Sequence, residues 1–221
     1  MGAAWCITFW RGDATGSYWE LSTRLEIKPT LSPDGAPIRN PYREIVSIAY
    51  GFFSPLEGFM TWNEVESVLK ERRLLNGWLF PFPIVFDVSE EELKASGVKP
   101  GDDLLLTLRS RPFAVLKVEE VYKLPDRREF ADAVFGTPER NGEVVRRRFD
   151  EKHPGWLIYR SLKPLAIAGK VSIVNPPRFR EPYNRFWLPP VESRRLVEAK
   201  GWKVVVAHQT RNVPHVSHEV L

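Results

Sequence analysis

The stretch Lys203-Val204-Val205-Val206-Ala207-His208-Gln209-Thr210-Arg211-Asn212-Val213-Pro214-His215-Val216-Ser217-His218 decides the reading of this chain. It opens with a continuous apolar run of the kind buried in parallel sheets, so Lys203–Ala207 predicts a strand. That strand would deliver amide, hydroxyl and guanidinium groups to the carboxyl edge of a sheet, where open α/β domains bind ligands. Pro214 suits the first turn of a helix, and a helix start offers free N–H groups and the positive end of the dipole to an anion. His215 and His218, three apart, are expected to share one helical face there. Arg211 can hold a tetrahedral oxyanion through two parallel hydrogen bonds. Phosphate and sulfate are the ligands this chemistry favours.

Two blander readings stand beside it. Zinc would need three or more protein ligands, and the His-Glu-x-x-His spacing is absent, so no metal site is assigned. Ordinary surface or core histidines are the other alternative. The gathering of three of the four histidines behind an apolar run and beside an Arg-Asn pair weighs against it.

Working outward, Val191, Leu196, Val197 and Ala199 predict a helix over Pro190–Lys200 that Gly201 stops. Helix, strand, polar loop and new helix is how a nucleotide-binding α/β domain begins. Residues 176–190, rich in Pro, Arg and aromatics, read as an ordered linker. Before it, residues 41–175 predict short strands, turns and a few helices, an α+β or barrel-like domain. Thr61 with Glu64 and Ser89 with Glu92 are capping boxes, predicting helices over Thr61–Arg72 and from Ser89 to Gly97. Phe82–Val88, Trp156–Tyr159 and Lys170–Val174 read as strands, and Leu104–Leu108 with Ala114–Val118 as a strand pair. Residues 1–40 are an N-terminal extension of weak periodicity, ending in an extended Pro/Gly/Asp connector.

The bulk numbers narrow the class. The net charge is +4, from 32 basic and 28 acidic residues, spread along the chain with one run at Arg146–Arg148. Such an excess fits a small anionic substrate and does not call for nucleic acid. The single cysteine, Cys6, forbids an internal disulfide, and no apolar run approaches the roughly 20 residues that cross a bilayer. A cytoplasmic location with no membrane partner is expected.

The string Gln209-Thr210-Arg211-Asn212-x-x-His215-x-x-His218 resembles the motif of ATP sulfurylases (sulfate adenylyltransferases), within the wider H-x-x-H nucleotidylyltransferase group. Gly51–Met60, Pro81–Val85, His153-Pro154-Gly155 and Gly169-Lys170-Val171 resemble the family too, in the family's order, so the resemblance covers residues 40–221. Val213 departs from a frequent proline and Ser217 from a small Gly or Ala. The resemblance implies a PUA-like β-barrel N-terminal domain followed by the first elements of a Rossmann-like α/β nucleotidylyltransferase domain. It implies a transfer in which ATP and sulfate give adenosine 5′-phosphosulfate and pyrophosphate. Thr210, Arg211 and Asn212 would be catalytic, Gln209 and Arg211 would bind sulfate, and Asn212, His215 and His218 would bind the nucleotide. Mg²⁺ would come with ATP, with no tightly bound cofactor. Association into a homo-oligomer is compatible with all of this.

The family's later sheet strands and second substrate loop are not among these 221 residues. The expectation is therefore a fragment that is inactive alone, with residues 202–221 loosely held and an apolar edge exposed. The alternatives are a PUA-like RNA-binding module and a non-catalytic fragment that pairs with partner subunits. The stretch Ser54–Met60 reads as a packing motif, and His153 and Trp156 as structural residues.

Overall fold

The computed structural model describes residues 21–31, 37–135, 153–210, 213 and 215–219. The element order is β1 (Arg24–Glu26), β2 (Thr30–Leu31), β3 (Pro37–Arg39), α1 (Pro41–Ala49), β4 (Gly58–Phe59), α2 (Trp62–Glu71), β5 (Phe86–Val88) and α3 (Glu90–Ser96). It continues through β6 (Asp103–Leu108), β7 (Arg111–Lys123), α4 (Arg127–Phe135), α5 (Pro154–Arg160), β8 (Leu165–Ile173), α6 (Pro190–Ala199) and α7 (Val216–Glu219).

Six strands form one mixed sheet in the order β1-β6-β7-β8-β4, with β5 also paired to β8. Glycine settles how β8 can serve so many neighbours. Across the β4–β8 ladder Gly58 pairs with Lys170 and Phe59 with Gly169, and a Cβ on Gly58 would sit 2.0 Å from the Gly169 carbonyl oxygen. Gly169 has φ +146°, and a Cβ there would lie 1.9 Å from the Lys117 oxygen. The register with β7 shifts beside it, between Val118 and Glu120. A residue without a side chain is what permits this close backbone approach.

Local signals set several boundaries. The Glu64 carboxylate accepts from the Thr61 N–H (2.8 Å) and hydroxyl (2.9 Å), so α2 starts where the capping box requires. It ends at Arg72, in the left-handed region at φ 54°, ahead of Asn76-Gly77. The reciprocal Ser89–Glu92 bonds start α3, and Gly97 at φ 64° stops it. The β6–β7 hairpin turns on Arg109 and Ser110, both with positive φ, the geometry that matches strand twist in a two-residue loop.

The apolar faces of α1 (Ile45, Val46, Ile48, Ala49) and α2 (Val65, Val68) join Leu104, Leu106, Leu116, Ile167 and Ile173 of the sheet in one buried core. Each such large side chain contributes about 1.5–3 kcal/mol on burial. A buried ion cluster crosses that core. The Arg39 guanidinium donates to the Glu44 and Asp87 carboxylates and to the Val85 carbonyl, and Asp87 also accepts from the Lys163 backbone N–H at 2.8 Å. It ties β3, α1 and β5 together.

Several expectations are corrected. Arg24–Glu26, inside the stretch read as an extension, is an edge strand paired in parallel with β6. Trp156–Tyr159 is helical, not extended, because His153 caps α5 and Pro154 occupies its first turn. Only Phe86–Val88 of the expected strand Phe82–Val88 forms a ladder. Lys203–Ala207 forms none: its residues pair with no described strand, and Val204 and Val206 are 82% and 89% exposed.

Candidate functional site

The helix expected before the site is present. Pro190 opens α6, the Gly201 N–H donates to the Glu198 carbonyl, and Gly201 adopts φ +64°. The chain then runs without regular structure through the valines to His208, Gln209 and Thr210, all exposed. A single helical turn, α7, follows at Val216–Glu219. His215 immediately precedes it and His218 lies within it, so the spacing brings both to the start of a helix.

The expected residues are thus placed unevenly. Gln209, Thr210 and His215 are described and exposed, and His218 is described by its backbone. Arg211 and Asn212, the centre of the expected site, lie outside the described residues, as does the run Arg146–Arg148. Pro190 and Gly201 bracket one helix, and the second begins at Val216, directly after His215.

Two cavities lie elsewhere. One, of about 300 Å³, is lined by Glu57, Gly58, Glu64, Glu119, Gly169 and Lys170. The other, of about 330 Å³, lies among Arg39, Glu44, Phe53, Phe82, Phe135 and Tyr159. Neither includes a residue of the 209–218 string. Among the described residues no group of three or more His, Cys, Asp or Glu side chains is arranged to hold a metal. No helix among them is long and apolar enough to cross a membrane.

The residues read as structural carry packing and capping contacts. Leu56, Phe59 and Met60 are buried, and the Met60 sulfur accepts from the Ile84 N–H at 3.4 Å. The His153 Nδ1 accepts from the Gly155 N–H at 3.1 Å, and its ring meets Phe135 at 5.0 Å. The Trp156 indole donates to Asp132 at 2.9 Å. Sequence reading missed Trp187, whose ring contacts Tyr50, Phe52 and Phe179 where the linker meets the domain. Its aromatic neighbours in the Pro/Arg-rich linker were the available signal.

The matches define the class: a PUA-like domain, followed by a segment similar to part of ATP-sulfurylase. Residues 36–176 match the model of the PUA-like domain, and residues 184–221 match that of ATP-sulfurylase. A sulfate adenylyltransferase of Archaeoglobus fulgidus is 59% identical over 197 residues, which cover 89% of this chain and 43% of that protein. One of Hyperthermus butylicus is 41% identical over 176 residues, 80% of this chain and 41% of the relative. A sulfate adenylyltransferase of Desulforudis audaxviator is 34% identical over 180 residues, covering 80% and 40%. The chain belongs to the PUA-like domain family, matched over residues 36–176, and its C-terminal segment is similar to ATP-sulfurylase. It spans about two fifths of the length of these curated relatives. Among solved structures, the hexameric APS kinase from Thiobacillus denitrificans superposes with a TM-score of 0.59 over 91% of this chain and 31% of its own. At 20% identity that likeness concerns the fold.

Proposed function

We propose that this chain is the N-terminal portion of a sulfate adenylyltransferase, carrying the PUA-like domain, a linker over residues 176–190 and the start of the catalytic domain over 191–221. The observation that carries the reading is the Gln209-Thr210-Arg211-Asn212-x-x-His215-x-x-His218 string, within the segment that matches the ATP-sulfurylase model. In the reaction, a sulfate oxygen attacks the α-phosphorus of ATP in line. The bond from that phosphorus to the bridging oxygen breaks, and pyrophosphate leaves with the electron pair.

Sulfate is a fully ionised nucleophile at neutral pH, so the site needs positioning and charge stabilisation rather than a general base. Gln209 and Arg211 hold sulfate, Thr210 and Asn212 contact the phosphates, and His215 and His218 offset charge developing on the ATP phosphates. Mg²⁺ enters as part of the MgATP substrate. The reading includes a cytoplasmic protein that associates with copies of itself. The exposed Trp202, Val204 and Val206 support a docking role for 202–206, as an apolar segment against which further elements of a catalytic domain pack.

The test is sulfate-dependent pyrophosphate release by a polypeptide continued to the relatives' length. Arg211→Ala and His218→Ala are expected to lower kcat/KM by about 10²–10³-fold each, the scale of losing one donor to a developing oxyanion. The 221-residue chain alone is expected to release none. Parental rates in both variants would overturn the reading.

A further inference from the structure

We infer that Trp187 is a positioning residue: its ring, locked among three aromatic neighbours, fixes how α6 and the loop beyond it stand against the PUA-like domain. The functional consequence rests on the reading of that loop given above, whereas the positioning rests on packing alone.

Most of the linker faces solvent. Tyr183 and Phe186 are 68% and 69% exposed, and Leu188 is 49% exposed. A short 3-10 turn at Tyr183–Phe186 gives the linker local order. There the Arg180 carbonyl accepts from the Tyr183 N–H (2.8 Å) and the Asn184 carbonyl from the Trp187 N–H (3.2 Å). Trp187 follows that turn and faces inward, packed against the core. Its ring centroid lies 5.6 Å from Tyr50 edge-on, 5.5 Å from Phe52 and 4.6 Å from Phe179.

The partners explain why this contact transmits orientation. Tyr50 caps the C-terminus of α1 and is itself buried, so Trp187 rests on the end of a helix whose inner face is core. Phe179, from the other end of the linker, closes the ring cluster and pins both ends of the linker together. Beyond Leu188 come Pro189, which is buried, and Pro190, which opens α6. Two consecutive fixed φ angles leave little rotational freedom between the tryptophan and the helix. α6 buries none of its own residues, so it has little packing of its own with which to choose a direction. Aromatic pairs at these separations contribute beyond simple burial, which makes the cluster a strong anchor for so short a segment. A shift of even 1 Å at the reacting atoms is costly in a positioning enzyme, so an anchor at this point bears on rate.

The test uses the 221-residue chain and ¹⁵N relaxation of backbone amides in α6 and in β7. In the parent, both sets report one rotational correlation time. In Trp187→Ala the α6 amides lose that common value while the thermal midpoint of the sheet stays at the parental one. Trp187→Phe, which keeps a ring, retains it. Common tumbling in Trp187→Ala would overturn the inference. So would a large fall in the midpoint, which would make Trp187 a core residue instead. In a polypeptide of the relatives' length, Trp187→Ala is expected to lower kcat for sulfate-dependent pyrophosphate release and Trp187→Phe to restore it. Absence of release from the parent as well would remove the functional reading and leave the relaxation result to judge the positioning.

Discussion

Replacing Arg39 by methionine tests the buried ion cluster directly. The Arg39 side chain is 5% exposed and that of Asp87 is 2% exposed, whereas Glu44 retains 21%. Deleting the guanidinium therefore leaves Glu44 within reach of water but strands Asp87, which among the described residues keeps the Lys163 backbone N–H as its donor. Removing one member of a buried pair costs about 3–5 kcal/mol, because the remaining charge stays desolvated. Against the roughly 5–15 kcal/mol that holds a domain together, this is about a fifth or more of the total. Urea unfolding of the 221-residue chain, followed by far-UV circular dichroism, reads the loss as a lower midpoint at unchanged slope. Adding Asp87→Asn to Arg39→Met removes the stranded charge and leaves the smaller penalty of an underbonded amide, about 1–3 kcal/mol. The double variant is thus expected to be more stable than the single one. A cost below about 1 kcal/mol for Arg39→Met, or no recovery in the double variant, would refute this account of the cluster.

Two further outcomes follow from the same geometry. Gly169→Ala would add a positive-φ penalty to a direct backbone collision with Lys117, and is expected to cost about 2–6 kcal/mol, read as a lower urea midpoint; an unchanged midpoint would contradict the packing described. Burial pushes the Glu92 carboxyl up, but the Lys163 ammonium at 2.7 Å and the Ser89 N–H outweigh it and hold the group below its ordinary value of 4.5. A depressed carboxylate stabilises the fold above its unfolded value, and that stability is lost as pH falls through the folded value. The stability gap between the parent and Lys163→Met should therefore be full near neutrality and close below about pH 4.5; a gap independent of pH from 7 to 3 would count against the pair.

Sequence reached what is local. The helix starts at Thr61 and Ser89 were legible because a hydroxyl and a carboxylate three residues apart satisfy the same orphan N–H groups in any context. The β6–β7 pair was legible from two apolar runs, although its turn uses Arg109 and Ser110 rather than glycine. Trp156–Tyr159 misled because four large apolar or aromatic residues suit a strand as well as a short helix; the decision lay with His153 and Pro154 just before them. The α1 helix was hidden because its cap, the Asn40 side chain accepting from the Tyr42 N–H at 3.1 Å, sits in a stretch that reads as connector. Pairing of Arg24–Glu26 with β6 spans some eighty positions, as the Thr23 hydroxyl bonded to the Asp103 carbonyl shows, and no local pattern encodes it. For the site, the string of residue types was readable, and the chemistry proposed for it rests on that string. Its strand was not, since an apolar run such as Lys203–Ala207 becomes a strand only when neighbours supply the ladder.

The central position of β8 governs when this domain can take shape. β4, β5 and β7 all pair with a strand that is synthesised after every one of them, at Leu165–Ile173. A chain emerging from the ribosome therefore holds three sets of open backbone donors and acceptors until residue 173 has cleared the exit tunnel. Such delayed, long-range closure slows folding and exposes strand edges to neighbouring nascent chains. In the growing polypeptide, β8 arrives as the last tooth of a zip, and the interval before it is when the chain most depends on being kept apart from its own kind.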